Sequence, residues 1–226
     1  MKQPSSRQVI LERIIRAQES RAITSNAKGG RNEWQQEELS FSRLFHDDIF
    51  SLSEEDKMNY FCQTLASLKG ECFLCEDEQD VYTKLANLVQ KKSLSALFTR
   101  DSSIAEKLHQ YKITVDTDEE KLIDMVAAVT NCEYLITQTG SVLVSSAAAA
   151  GRKLHAFPSI HIIIAHKNQL VDDLKIALDC MQQKYKKSLP SVVSVITGPS
   201  RTADIEKTLV LGAHGPKELI IFVQQK

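Results

Sequence analysis

The 226 residues, 42% apolar and 25% charged, suffice for one substantial core and leave little room for two full domains. A formal charge of −1, with acids and bases well mixed, excludes a broad basic field for holding nucleic acid or an anionic membrane nonspecifically. No apolar run approaches the roughly 20 residues that span a bilayer, and Arg7, Arg13 and Arg16 interrupt Met1–Ser20 where a signal-like core would lie, so the expected compartment is the cytoplasm.

The first predicted element is a helix over Arg7–Gln18, with Val9, Ile10, Ile14 and Ile15 on one face and Ser5 or Ser6 as its cap. This arm either docks on its own core or packs onto a partner subunit. Residues 1–24 are therefore read as an N-terminal amphipathic helix, 25–50 as a linker or extended segment, and 51–226 as the main domain. The linker holds the turn-rich Ser25–Asn32.

From Ser53 onward, helix and strand alternate. A hydroxyl cap followed by Glu54, Glu55 and Asp56 starts a helix that runs to about Lys69 and stops at Gly70. The strand Glu71–Glu76, the helix Asp77–Gln90 and the strand Leu94–Thr99 follow. Asp101 or Ser102 caps a helix to Tyr111, Ile113–Val115 reads as a short strand, Asp118 opens a helix to Val129, and Tyr134–Ile136 continues the sheet. Ile160–Ala165 is nearly all apolar, as a strand buried on both faces should be. The helix Gln169–Tyr185 and the strands Ser191–Ile196 and Leu219–Val223 finish the chain. Such alternation predicts an open, mostly parallel α/β sheet with helices on both faces.

Cys62, Cys72, Cys75, Cys132 and Cys180 are scattered and odd in number, which points to reduced thiols. Cys72 and Cys75 have CxxC spacing, but no second CxxC or His pair completes a metal set, and their alternation suits a buried strand. The chain lacks the closely repeated cysteines of an iron–sulfur protein, and no metal site is expected.

Two loops carry the polar groups that could do chemistry. Thr137-Gln138-Thr139-Gly140-Ser141 follows a strand, and Thr139, Gly140 and Ser141 can cradle an anion through N–H and O–H donors. The alternative is a tight turn in which Gly140 supplies a positive φ. The longer stretch, Thr197–Pro216, sets Gly198-Pro199 after a strand, then Ser200, Arg201 and Thr202 at the mouth of an expected short helix. Arg201 can grip a carboxylate or phosphate with two parallel hydrogen bonds, or it pairs with Asp204 or Glu206 to stiffen the loop. Two residues apart on a helix, Asp204 and Glu206 point roughly 200° apart and cannot act as a carboxylate dyad. Asp204 and His214 are the candidate catalytic groups, and Gly198 and Gly215 shape the binding loop. His214 carries protons near neutrality or serves as a local hydrogen-bonding residue. If the two loops sit at strand C-termini, they can meet in one crevice. His161, within an apolar strand, is assigned to the core or an interface. No G-x-S-x-G, P-loop or G-x-G-x-x-G is present.

Gly198-Pro199-Ser200-Arg201-Thr202-Ala203-Asp204-Ile205-Glu206, followed by Gly212 and His214-Gly215-Pro216, resembles the signature of the lactate-utilisation protein C family (LutC/YkgG, the LUD domain). The resemblance takes in the Arg-rich leading helix, the α/β body and the Thr139-Gly140-Ser141 turn. It implies a NagB/RpiA/CoA-transferase-like fold over 51–226 and a place in a bacterial system that oxidises L-lactate to pyruvate. It also implies iron–sulfur partner subunits, with the clusters in those partners and no cofactor on this chain. A small carboxylate or phosphate, or a partner protein, is the ligand expected at the Arg201 loop, and a homo-oligomer is left open. The family pattern has an acid just before the Thr-Gly turn where this chain has Gln138, which speaks against a carboxylate role there. The alternatives are a free-standing isomerase- or transferase-like enzyme of the same fold group, and a non-catalytic regulatory or scaffold module.

Overall fold

The structure, a computed structural model, describes residues 47–118, 120, 125–147, 153–186, 188–203, 209–211 and 215–226. The Arg7–Gln18 helix and the Ser25–Asn32 linker lie outside the described residues.

Helix α1 (Glu54–Ser67) begins as expected, with the Asp56 N–H donating to Ser53 Oγ at 3.2 Å. Strand β1 (Glu71–Cys75) follows, then α2 (Glu78–Lys91), capped by Asp77 through the Asp80 N–H at 2.9 Å. After β2 (Leu97–Phe98), Asp101 rather than Ser102 caps α3 (Ser102–Gln110), accepting from the Ser103 and Ile104 N–H groups. Next come β3 (Val115–Asp116), β4 (Ala127–Asn131), β5 (Tyr134–Ile136), β6 (Ser141–Ser145), β7 (Ile160–His166) and β8 (Leu170–Val171). Helix α4 (Leu174–Tyr185) is capped by Asp173, and β9 (Val193–Ile196), β10 (Arg201–Ala203), β11 (Leu209–Leu211) and β12 (Glu218–Gln224) complete the α-helices and strands of the described residues.

Six strands form one parallel sheet in the order β1-β12-β7-β4-β2-β3. A second sheet, β8-β5-β6-β9, pairs β5 with β8 in parallel and β6 with β5 and β9 antiparallel. The large sheet is covered on both faces, and its strands show why. Ile160, Ile162, Ile164, Ile220 and Phe222 pack with Val81, Leu85 and Leu88 of α2 and Leu108 of α3. Ile163, Ala165, Leu219, Ile221 and Val223, one residue out of phase, pack with Met58, Phe61 and Leu65 of α1 and with Leu135, Val142 and Val144 of the second sheet. Each fully buried Val, Leu, Ile or Phe contributes roughly 1.5–3 kcal/mol of transfer free energy. Helix α4 closes the outer side of the second sheet, setting Ala177 and Met181 against Ile136 and Leu143.

Several expectations need correction. The helix expected from Asp118 to Val129 does not extend that far, because Ala127–Val129 belong to β4, whose residues 127–130 are all buried between two strands. Tyr134–Ile136 lies in the second sheet, not the parallel one. The helix expected from Gln169 starts only at Leu174, since Asp173 is its cap and Leu170–Val171 pairs with β5. The short helix expected after Gly198-Pro199 is instead a strand, β10, paired antiparallel with β11. The reduced-thiol expectation fails for two of the five cysteines: Cys62 of α1 and Cys72 of β1 form a disulfide with Cα atoms 5.5 Å apart. The tight turn at Gly70, whose N–H donates to Leu65 O, folds α1 back along β1 and brings them together. Cys75, Cys132 and Cys180 are free, and Cys75 is buried in β1 as its packing role requires.

His161 is a core residue. It is fully buried, lies 2.8 Å from Thr130 Oγ1 through Nε2, and burial, helped by neighbouring His155, pushes its pKa down to about 3.

Candidate functional site

The order of the large sheet fixes where a crevice must open. From β2 the chain crosses to β3 on one side, while from β4 it proceeds to β7 on the other. Loops leaving β2 and β4 therefore part in opposite directions, and in open α/β sheets that switch point, at the strand C-termini, is where ligands bind. Asn131, the last residue of β4, spans the gap, its Nδ2 donating to Asp101 Oδ2 at 2.9 Å.

Three cavities follow this C-terminal edge. One of about 850 Å³ is lined by Arg100, Asp101, Ser102 and His109 beyond β2 and β3. One of about 290 Å³ lies beyond β4 and β7, between Asn131, Glu133, His166, Lys184 and Tyr185. One of about 520 Å³ lies beyond β7 and β12, with His166, Lys167, Lys57 and Asp172 in its wall. Lys57 and Asp172 form an ion pair there at 2.7 Å, each side chain 18% exposed.

Glu133 is the best-defined charged group of this edge. Only 5% exposed, it takes Ser145 Oγ at 2.5 Å and Tyr185 Oη at 2.8 Å on Oε1, and Lys184 Nζ at 2.7 Å on Oε2. Burial pushes its pKa up, but hydrogen bonds from Lys184, Ser145 and Tyr185 outweigh it and hold the carboxyl below its ordinary value. The same contact raises the pKa of Lys184. The neighbouring Cys132 thiol is pushed up to about 12, by burial first and then by the Glu133 charge, so it is no nucleophile. Gln169 ties the rim together: its amide donates to Cys132 O at 2.7 Å and accepts the His166 N–H at 2.7 Å.

The two loops singled out by their composition lie at the other edge of the large sheet, around the C-terminal end of α1. They do meet: Ser141 Oγ and Thr197 Oγ1 are 2.9 Å apart. They meet there because they follow β5 and β9 of the second sheet rather than strands of the large one. Thr139 ends a single 3-10 turn, Thr137–Thr139, and Gly140 supplies its left-handed residue at φ +58°. A Cβ on Gly140 would stand 2.6 Å from Leu65 N, so the turn lies directly against the backbone of α1. Gly198, at φ +80°, makes a similar approach to Leu68: a Cβ there would stand 3.0 Å from the Leu68 carbonyl oxygen. Ser200 N–H donates to Pro216 O at 2.8 Å, and Gly215 lies against the Ser200 side chain. Exposed Arg201 donates from Nη2 to Leu68 O at 2.8 Å, satisfying a carbonyl that the end of α1 leaves without a helical partner. Thr202 pairs with Val210 within the β10–β11 ladder. Asp204, Glu206, Gly212 and His214 lie outside the described residues.

The structure thus brings together Thr139, Gly140, Ser141, Gly198, Ser200, Arg201 and Gly215. It also adds a second group the sequence reading missed: Asn131, Glu133, His166, Lys184 and Tyr185. A lone carboxylate between two apolar strands, Val129-Thr130-Asn131-Cys132-Glu133-Tyr134-Leu135, was the available signal. Among the described residues no group of three or more His, Cys, Asp or Glu is placed to hold a metal ion, and no helix is long and apolar enough to cross a membrane.

The family model for the LUD domain matches residues 58–223. A protein of Escherichia coli (strain K12) named YkgG is 24% identical over 208 residues, covering 85% of this chain and 90% of that one. A lactate utilization protein C of Bacillus subtilis (strain 168) is 31% identical over 132 residues, 56% of this chain and 55% of its own. Another, from Geobacillus thermodenitrificans, is 34% identical over 93 residues, 40% of this chain and 39% of its own. The chain thus spans most of the first relative and about half or less of the other two. A crystal structure of a DUF162 family protein from Deinococcus radiodurans superposes with a TM-score of 0.59 over 76% of this chain and 99% of that one, and at 16% identity it speaks for the fold alone.

Proposed function

The chain belongs to the LUD domain family, and we propose on that premise that it serves as a component of a lactate-utilisation system, carrying no iron–sulfur cluster itself and docking on iron–sulfur partner subunits. The lactate reading is supported by the names of the Bacillus and Geobacillus relatives. The docking reading is supported by one observation: the signature stretch forms its own two-stranded sheet, β10–β11, which pairs with neither of the other two. At the start of this ladder Arg201, beside Gly198 and bonded to Leu68 O, is the group offered to another protein. Arg201 is exposed, and its planar guanidinium has donors beyond the one given to Leu68, suited to an acidic side chain of the partner. Asp204 and His214 belong to the same docking stretch in this proposal.

The test is co-purification. Tagged chain co-expressed with iron–sulfur lactate-utilisation subunits should retain them, and Arg201→Ala should lose them while still folding cooperatively, its melting temperature lowered by no more than the loss of the single bond to Leu68 O implies. Retention by Arg201→Ala at the level of the unsubstituted chain overturns the docking assignment.

A further inference from the structure

At the opposite edge of the sheet, we propose that the 290 Å³ cavity beyond β4 and β7 binds a small oxyanion, a carboxylate or a phosphate group, between Lys184 and His166, with Glu133 as the residue that positions Lys184. Glu133 is costly to bury. A carboxylate buried to this degree is expensive unless hydrogen bonds surround it, and an apolar residue would hold the same elements together more cheaply. Here the carboxylate fixes two side chains at the rim of a cavity. Lys184 Nζ gives one of its three N–H donors to Glu133 at 2.7 Å, while its side chain remains 52% exposed. Tyr185 is held on the other carboxylate oxygen at 2.8 Å.

His166, in the same lining, is held as well. The His166 ring accepts a hydrogen bond from the Gln169 backbone, so in the neutral imidazole the remaining ring nitrogen carries the proton. Gln169 is itself clamped between the His166 N–H and Cys132 O. Lys184 and His166, each held by a hydrogen bond within the protein, thus line one small cavity beside the switch point of a parallel sheet. Pre-set donors of this kind recognise an anion without first being ordered. A volume of about 290 Å³ is at the lower end for ligand sites, which favours a compact acid or a phosphate group over a nucleotide.

Calorimetric titration of the full chain, alone, with sodium pyruvate, sodium L-lactate and potassium phosphate in separate runs tests this. Saturable binding of at least one probe is expected, and which probe binds identifies the source of the oxyanion. Lys184→Gln and His166→Ala should each raise the Kd about tenfold or more, the loss of one charge-assisted or imidazole hydrogen bond. Glu133→Gln should weaken binding as well, although Glu133 touches no ligand. Lys217→Ala, which removes an exposed lysine at the other edge, should leave the Kd unchanged and so rule out a general charge effect. Should Lys184→Gln fold poorly, His166→Ala decides alone, because His166 is exposed at the end of its strand. Absence of saturable binding by all three probes up to millimolar concentration overturns the proposal, as does equal binding by unsubstituted chain and His166→Ala.

Discussion

Replacing Gly140 with alanine tests whether the Thr139-Gly140-Ser141 turn is built into the packing of α1. Gly140 holds φ at +58°, and an added Cβ would stand 2.6 Å from Leu65 N and 3.0 Å from Thr64 C, both backbone atoms. An L-residue in the left-handed region costs about 1–2 kcal/mol. Forcing a methyl group against a helix backbone costs roughly another 1–3 kcal/mol. Alanine also reduces the freedom of the unfolded chain, which offsets about 0.4–1 kcal/mol. The net loss is then about 1–4.5 kcal/mol, and each kcal/mol lowers the melting temperature by roughly 2–4 °C in a chain of this size. Urea unfolding followed by far-UV circular dichroism reads it directly. Gly215→Ala is the control: among the described residues its Cβ would meet the Ser200 side chain, 3.2 Å away, and no backbone, and the loss should stay below about 1 kcal/mol. A loss below about 0.5 kcal/mol at Gly140 would refute the close approach and with it the seating of this turn on α1.

Glu133→Gln should destabilise the chain by about 1–3 kcal/mol at neutral pH, since a buried charged hydrogen-bond acceptor is lost. The folded pKa of Glu133 lies below its ordinary 4.5, so its contribution is complete above that value and fades as pH falls through the folded pKa. The gap between the two proteins in urea titrations should therefore narrow below pH 4.5, and a constant gap would contradict the ion cluster. Reducing the Cys62–Cys72 disulfide, or substituting Cys62→Ser, should cost about 2–3 kcal/mol for so short a loop, and mass spectrometry after alkylation without reductant should find three modifiable thiols. Five alkylated cysteines would contradict it. Ser53→Ala should cost about 1 kcal/mol through loss of the cap on α1, measured in the same unfolding assay.

What the sequence makes legible follows the range of the forces involved. Caps act within three residues, so the one at Ser53 stands plainly in the sequence, and the one at Asp101 is narrowed there to two neighbours, Asp101 or Ser102. The apolar run Ile160–Ala165 is so continuous that a strand buried on both faces is the natural reading, and β7 is that strand. Ala127-Ala128-Val129 is equally apolar, but in a short run period alone does not separate a buried strand from a buried helix, and the cap-like Asp118 upstream favours the wrong choice. At Arg201–Ala203 the local signal, a Gly-Pro turn followed by small polar residues, suits a helix start, whereas pairing with Leu209–Leu211 decides for a strand. The two signature loops announce themselves by composition, and Ser141 and Thr197 do touch. The Glu133 cluster carries no motif at all, because its partners Ser145, Lys184 and Tyr185 lie 12, 51 and 52 residues away and only the fold assembles them.

The docking claim is tested most directly by the affinity of the purified chain for a purified iron–sulfur lactate-utilisation subunit, measured by surface plasmon resonance at two salt concentrations. If Arg201 meets an acidic side chain of that partner, affinity falls with salt, and Arg201→Glu, which sets like charges together, weakens binding by about tenfold or more. An affinity indifferent both to salt and to Arg201→Glu would contradict the reading of the signature stretch as the docking surface.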